Sequence, residues 1–272
     1  MSKLCFLFRN SYETEDEFKT LKNMCPNKVF EQRSAIPEDS LVIGRFSVLP
    51  FYVELEKDLA ISNSKLINTY SQHRYAADME NWYRDLKDHT PHTWFTLQEY
   101  ISDGYNGPVI LKGETNSKRE LWRTHMFANN QKEAISVYMR LLDDSLIKQQ
   151  KICIRKFEKL VKYCDDIMGM PIVKEFRFFV LTRKIVAGGF YWSNYEEESG
   201  NPLANEVPIE FLNTIIKKIK NQCNFYTLDV AQKEDGSWIV IELNDGCMSG
   251  TNSIDPKDLY AAIRKQYDYS SL

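Results

Sequence analysis

YTLDVAQKEDGSWIVIELNDG, residues 226–246, is the stretch on which the reading of this chain turns. It has the alternation of a hairpin, yet Asp229, Glu242 and Asn244 offer side-chain oxygens. Asp235-Gly236 reads as a two-residue hairpin turn. With that turn Glu234 opposes Ser237, Ala231 opposes Val240, and Asp229 opposes Glu242. Side chains alternate between faces with period two, so Asn244 joins Glu242. The opposite face, Leu228, Val230, Ile239, Ile241 and Leu243, is apolar throughout. Two carboxylates directly across a strand pair repel each other. A hard cation between them relieves that repulsion. Magnesium prefers carboxylate and amide oxygens and completes its shell with water and substrate phosphates. The alternative is a solvated face whose acids touch only water.

The rest of the chain sets bounds. Its 272 residues can bury one large core or two modest ones. A net charge of −3 marks neither a general nucleic-acid binder nor a ligand of anionic membranes. The Lys-Lys-Ile-Lys run at 217–220 reads as the solvated face of a helix. Six cysteines show no CxxC pair and no zinc spacing, which suits reduced thiols in a reducing compartment. There is no signal-peptide pattern and no apolar run of about 18 residues. The simplest expectation is a cytoplasmic protein without a membrane partner.

Hydrophobic patterning places strands at 3–8, 41–52 (running into a loop), 108–114 and 151–157, and two strands over 174–192 joined at Thr182-Arg183-Lys184. Helices are expected over 13–24, 70–88, 96–105, 129–145 and 208–221. A last helix starts after Asp255-Pro256, with aspartate as N-cap and proline at the first position. Residues 116–127 and 193–207 read as polar loops. The proline in HTPHTW breaks the pattern, and the domain boundary is placed near residue 95. The fold class is α+β, with a largely antiparallel C-terminal half.

Charged residues inside apolar strands mark further candidates. Lys112 sits in PVILKGE, where burial is costly without a partner. It suits either a phosphate or an edge position facing water. The basic segment after it, 113–123, carries Lys118, Arg119 and Arg123. Glu175 and Arg177 share one face of their strand, the phenylalanines the other. Arg155 occupies the strand KICIRKF.

In that order, PVILKGE, KICIRKFEKL, KEFRFFVL and LDVA…IVIELNDG resemble the ATP-grasp superfamily. The resemblance is nearest to the clade named for two arginines and a lysine, which includes many phage and bacterial proteins of undefined substrate. It implies an ATP-grasp domain over 96–272, with subdomains of about 96–155 and 156–272 holding ATP between them. Residues 1–95 resemble the smaller α/β substrate-side domain that precedes it. The resemblance implies ATP and one or two Mg2+ ions. It makes Lys112 the phosphate lysine, 113–123 the covering loop with Lys118 or Arg119 in contact, and Ile154, Arg155, Lys156 and Phe157 the adenine hinge. Arg155 and Arg177 become the two arginines, and Glu175 lies near the ribose. Asp229, Glu242 and Asn244 become the metal ligands. The hinge departs from many relatives in being basic where they carry an acid.

The resemblance also implies an activity: a carboxylate, of a small molecule or a peptide, is activated as an acyl phosphate and attacked by an amine or similar nucleophile, with release of ADP and phosphate. Arg45, Tyr52, His73 and Arg74 are the candidate substrate contacts from the N-terminal part. The small-residue loop with Gly246, Ser249 and Gly250 is the candidate meeting point with the γ-phosphate. Two other readings stay open. One is a phosphotransferase on the same fold, acting on a small molecule or a nucleic-acid end. The other is a nucleotide-binding module without turnover.

Overall fold

A computed structural model of the chain describes residues 3–167, 169–192 and 202–268. The N-terminal part is a parallel sheet ordered β2-β1-β3-β4, built from β1 (Lys3–Phe8), β2 (Val29–Phe30), β3 (Ser40–Arg45) and β4 (Lys65–Leu66). A parallel sheet needs crossovers that cover its faces, and the continuous apolar run of β1 is buried accordingly. Helices α1 (Glu15–Met24) and α2 (Tyr52–Ile61) supply those crossovers.

The remaining sheets are antiparallel. One four-stranded sheet is ordered β5-β8-β6-β7: β5 (Thr93–Trp94), β6 (Val109–Gly113), β7 (Phe127–Ala128) and β8 (Ile152–Lys156). Its core gathers Trp94, Leu111, Val137, Leu141 and Ile154, with α5 (Leu97–Asp103) and α6 (Gln131–Asp143) packed on it. Gly104 ends α5 in the left-handed conformation, at φ +74°, where glycine has no Cβ penalty. A short hairpin, β9 (Lys162–Ile167) with β10 (Met170–Val173), follows.

The second large sheet is ordered β12-β11-β13-β14: β11 (Glu175–Leu181), β12 (Lys184–Phe190), β13 (Phe225–Gln232) and β14 (Trp238–Asp245). The β11–β12 turn forms where expected, with positive φ at Thr182 and Arg183, the backbone of a two-residue hairpin. One face of this sheet packs on α7 (Ile209–Ile219) through Leu212, Ile215, Ile216 and Ile219. The last helix, α8 (Pro256–Asp268), starts behind Asp255, whose carboxylate accepts from the Lys257 amide at 2.8 Å. It packs into the N-terminal core with Phe6, Tyr52 and Phe225.

Two expectations change. The helix expected over 70–88 is two, α3 (Tyr70–Ala77) and α4 (Met79–Leu86), separated at Asp78, which is extended at ψ 113°. The bend lets Ala76, Met79, Trp82 and Leu86 all enter the core of the second sheet. Both helices thus lie ahead of the expected boundary near residue 95 yet share that core. The segment 116–127 is not irregular throughout: 119–121 and 122–126 are helical turns, which bury Trp122 and Met126. Of the polar loop expected over 193–207, residues 193–201 lie outside the described residues. Among the described residues no helix is long and apolar enough to cross a membrane.

Candidate active site

The site is built on the β13–β14 hairpin, whose register departs from the expected one. The turn has three residues rather than two. The Gly236 amide donates to the Lys233 carbonyl at 2.9 Å, and the Lys233 amide donates to the Ser237 carbonyl at 2.8 Å. Gly236 takes the left-handed position at φ +85°. This is a type I turn followed by a glycine bulge. Ala231 therefore faces Ile239 and Val230 faces Val240, one residue away from the expected pairing. A β-bulge between Asp229 and Val230 then restores the step, so Asp229 does face Glu242. Two slips of one residue cancel. The apolar face becomes Leu228, Val230, Val240 and Leu243, while Ile241 turns into a cavity beside the site.

Arg177 lies opposite Asp229 on the neighbouring strand and grips both its oxygens, at 2.8 and 2.7 Å. Both side chains are buried. Lys112 comes from β6 of the other sheet and ion-pairs with Glu242 Oε1, so its burial is paired. Arg155, from β8, donates to the Ile241 carbonyl at 2.8 Å and the Thr90 hydroxyl at 2.7 Å. Arg119 donates to the Tyr191 hydroxyl at 2.7 Å and lies over that ring, on which Arg177 also stacks. Burial would raise the Glu242 carboxyl, but Lys112, then Arg119 and Arg155, hold it below the usual carboxylate range. Glu175 is different. Burial, reinforced by Asp229 and Glu242, pushes its carboxyl up to about 8. Four cations (Lys112, Arg119, Arg155, Arg177) thus surround three carboxyls, of which Glu175 is mostly uncharged at neutral pH. The surplus of positive charge suits a polyanion.

Two cavities meet here. The first, about 390 Å³, is walled by Ile110, Trp122, Met126, Phe157, Met170 and Ile241. The second, about 680 Å³, reaches past Arg177, Asn244, Ser249 and Gly250 to His73 and Arg74. Lys112, Ser117, Arg119 and Glu242 line both. The cavities therefore share one charged junction.

The structure separates the sequence candidates. Lys112, Arg119, Arg155, Lys156, Phe157, Glu175 and Glu242 line the first cavity, and His73, Arg74, Arg177, Asn244, Ser249 and Gly250 the second. Asp229 stands beneath them as the partner of Arg177. Lys118 points elsewhere, pairing with Asp144 at 3.0 Å. Ile154 is paired within its sheet and its side chain is in the core. The amides of Lys156 and Phe157 are taken by the carbonyls of His92 and Pro108, at 2.8 and 3.0 Å, so the expected hinge has no donor left there. Arg45 is fully buried rather than substrate-facing. It pairs with Glu17 and reads the carbonyls of Gly246 and Ser249. Tyr52 is buried too, its hydroxyl donating to the Asn68 carbonyl at 3.0 Å. Gly246 is where a Cβ would meet the Phe225 ring at 2.8 Å. Sequence reasoning missed Tyr191, Asp78 and the role of Asp245; the aspartate next to Asn244 was the one visible signal.

Residues 70–263 match a family model described as an ATP-grasp domain, family 3 of the clade named for two arginines and a lysine. The chain belongs to the ATP-grasp superfamily, in that family. No curated protein matches the chain. Among solved structures, this ATP-grasp chain is similar to D-alanine–D-alanine ligase from Bacillus anthracis complexed with ATP, at 14% identity over 97% of this chain and 96% of that one, TM-score 0.60. It is similar to the D-cycloserine synthetase DcsG, at 11% identity over 97% and 99%, TM-score 0.60. It is also similar to the ATP-grasp ligase PsnB complexed with precursor peptide PsnA2 and AMPPNP, at 10% identity over 97% and 97%, TM-score 0.60. At these identities the likeness is one of fold.

The donor set can be tested against a magnesium ion. Glu242 uses only one oxygen on Lys112, and the Asn244 side-chain amide has no hydrogen bond among the described residues. Both oxygens of Asp229 are occupied by Arg177. Among the described residues no three His, Cys, Asp or Glu side chains form a complete cage. Such a set fits a cation that takes part of its shell from phosphate and water, as magnesium commonly does. It does not fit one held by protein alone.

Proposed function

We propose that this ATP-grasp protein is an ATP- and Mg2+-dependent ligase. It activates a carboxylate as an acyl phosphate, lets an amine or similar nucleophile attack it, and releases ADP and phosphate. The observation that carries this is the junction of the two cavities at Lys112, Arg119 and Glu242. A purine fits the aromatic cavity, its phosphates reach the junction, and the two remaining reactants fit the polar cavity. The N-terminal residues 1–95 then serve the acceptor side, and 96–272 hold the nucleotide.

Each residue has a physical task in this reading. Lys112, Arg119 and Arg177 stabilise charge on the transferring phosphoryl group from fixed positions. Arg155 fixes the wall at Ile241 and adds positive potential. Glu242 and Asn244 would hold the cation, with Asp229 behind them paired to Arg177. Bound there, magnesium neutralises developing charge on the phosphate oxygens. Arg119, held by Tyr191, lines the junction of the two cavities; water kept from that junction cannot hydrolyse an acyl phosphate. The acid is that of a small molecule or a peptide.

Thermal unfolding with and without Mg-ATP tests the nucleotide site. At about 100 times its dissociation constant a ligand adds about 2.7 kcal/mol. For a chain of this size that raises Tm by about 5–10 °C. The rise should need magnesium and should shrink in Lys112→Met. No rise with any nucleoside triphosphate, from a folded protein, refutes the reading.

A further inference from the structure

His73 and Asp245 form a buried pair that the nucleotide chemistry leaves unused. His73, on α3, is 7% exposed, and its Nδ1 lies 2.9 Å from Asp245 Oδ2. Asp245, at the end of β14, is 1% exposed. Its Oδ1 accepts from the Asn68 side-chain amide and from the Cys247 backbone amide, each at 2.8 Å. The Tyr52 hydroxyl lies 3.5 Å from Oδ2. A carboxylate only accepts, so His73 Nδ1 must carry the hydrogen. In the neutral imidazole that leaves Nε2 as the acceptor. The Tyr52 ring, centred 4.8 Å away, and the Tyr70 ring, at 6.2 Å, fix the imidazole plane. Nε2 has no hydrogen-bond partner among the described residues.

The imidazole lines the same cavity as Lys112, Arg177 and Glu242. A ring nitrogen without a protein partner, on a residue that lines the cavity, is open to a ligand that enters it. A linking histidine would need only its Nδ1. The charged groups around the ring are Asp245, Arg74 and Asp78, the last pairing with Arg74 at 2.5 Å.

We propose that His73 takes the proton from an incoming amine, with Asp245 as its positioning residue; this rests on the ligase reading above. An alkylamine arrives as an ammonium ion at neutral pH, with no lone pair to attack. One N–H bond breaks, and its proton moves to His73 Nε2. The freed lone pair forms the C–N bond at the acyl carbon, and the C–O bond to phosphate breaks with its electron pair on phosphate. The second nitrogen proton ends on that phosphate, and His73 returns the first to water. The arrangement is that of an oriented imidazole base, with the carboxylate fixing the tautomer.

Two measurements test this. In protein labelled with 15N-histidine, long-range proton–nitrogen spectra report each tautomer of the four histidines. His73, assigned by its loss in His73→Gln, should show Nδ1–H and a bare Nε2, and Asp245→Asn should change that signal. An Nε2–H tautomer in the native protein overturns the proposal. The second measurement supplies Mg-ATP and an equimolar mixture of the twenty amino acids as carboxylates. It compares two nucleophiles, ammonium and hydroxylamine, of which hydroxylamine is already unprotonated at neutral pH. The ratio of amide to hydroxamate should fall about 100-fold or more in His73→Gln. An unchanged ratio overturns the proposal. If the wild type forms neither product, none of the twenty amino acids is its carboxylate, and the spectrum decides: an Nε2–H tautomer overturns the proposal.

Discussion

Replacing Lys112 by methionine and Glu242 by glutamine, singly and together, probes the contact that joins the two sheets. Both side chains are buried and they pair with each other. Removing one partner of a buried pair costs about 3–5 kcal/mol, because the other is left uncompensated. The two single variants should not cost the same. Without Lys112, Glu242 still feels Arg119 and Arg155. Lys112→Met should therefore fall near the low end, at about 3 kcal/mol. Without Glu242, those two arginines and Lys112 crowd together with their shared carboxylate gone, so Glu242→Gln should cost about 5 kcal/mol. In the double variant both charges vanish together. Its cost should fall short of the sum by about 2–3 kcal/mol. Urea unfolding with linear extrapolation measures all four proteins. For a chain of this length, the milder variant should lose about 6–12 °C in Tm. Additivity within about 0.5 kcal/mol would falsify the pairing, and a larger loss from Lys112→Met than from Glu242→Gln would sink the account of the surrounding charges.

Glu175 gives a pH signature. Its folded-state pKa, about 8, lies above the ordinary carboxylate value, so the folded protein holds a proton that the unfolded chain has lost. Stability is fully present below the unfolded pKa and declines as pH rises from there through about 8, by at most about 1.4 kcal/mol per unit. Glu175→Gln should flatten that decline, measured by urea midpoints at pH 6 and 8; parallel declines in both proteins contradict the assignment. Arg45→Lys replaces a four-way guanidinium contact with a point charge that cannot span it. Tm should drop by about 5–10 °C, equivalent to a few kcal/mol, and a loss below about 1 °C in scanning calorimetry rules out a role for Arg45 in tying the loop down.

The fold was legible because its elements announce themselves locally. Apolar runs, the Thr182-Arg183 turn, the Gly104 stop and the Asp255-Pro256 start depend on neighbours in sequence. The hairpin shows the limit of such reading. Asp229 opposite Glu242 was expected for a reason that was half wrong, since a longer turn and a bulge offset each other. Alternation alone carries no record of either. The site residues were legible as types in unusual places. Lysine and arginine inside apolar strands do need partners. Which partner each takes is set by packing between segments far apart, such as Lys112 and Glu242, 130 residues away from each other. The same limit misplaced Arg45 and Tyr52. A charged or hydroxylated side chain near a site looks alike in sequence whether it meets a substrate or holds the scaffold behind it. Arg45 does the second, and its partners Glu17 and Tyr260 lie near opposite ends of the chain.

That placement of Arg45 bears on how such a protein can be recombined. Its guanidinium grips the carbonyls of Gly246 and Ser249 from the N-terminal sheet, with Glu17 on α1 and Tyr260 on α8 completing the knot. The stretch that borders the second cavity is thus moulded by parts of the chain that supply little of the first. A chimera that exchanges the first domain for a relative's, aiming at a new acceptor, would inherit a foreign mould for 246–249 unless Glu17, Arg45 and Tyr260 travelled together. The loop at 246–249 and the residues that hold it form one heritable unit, split across the length of the sequence.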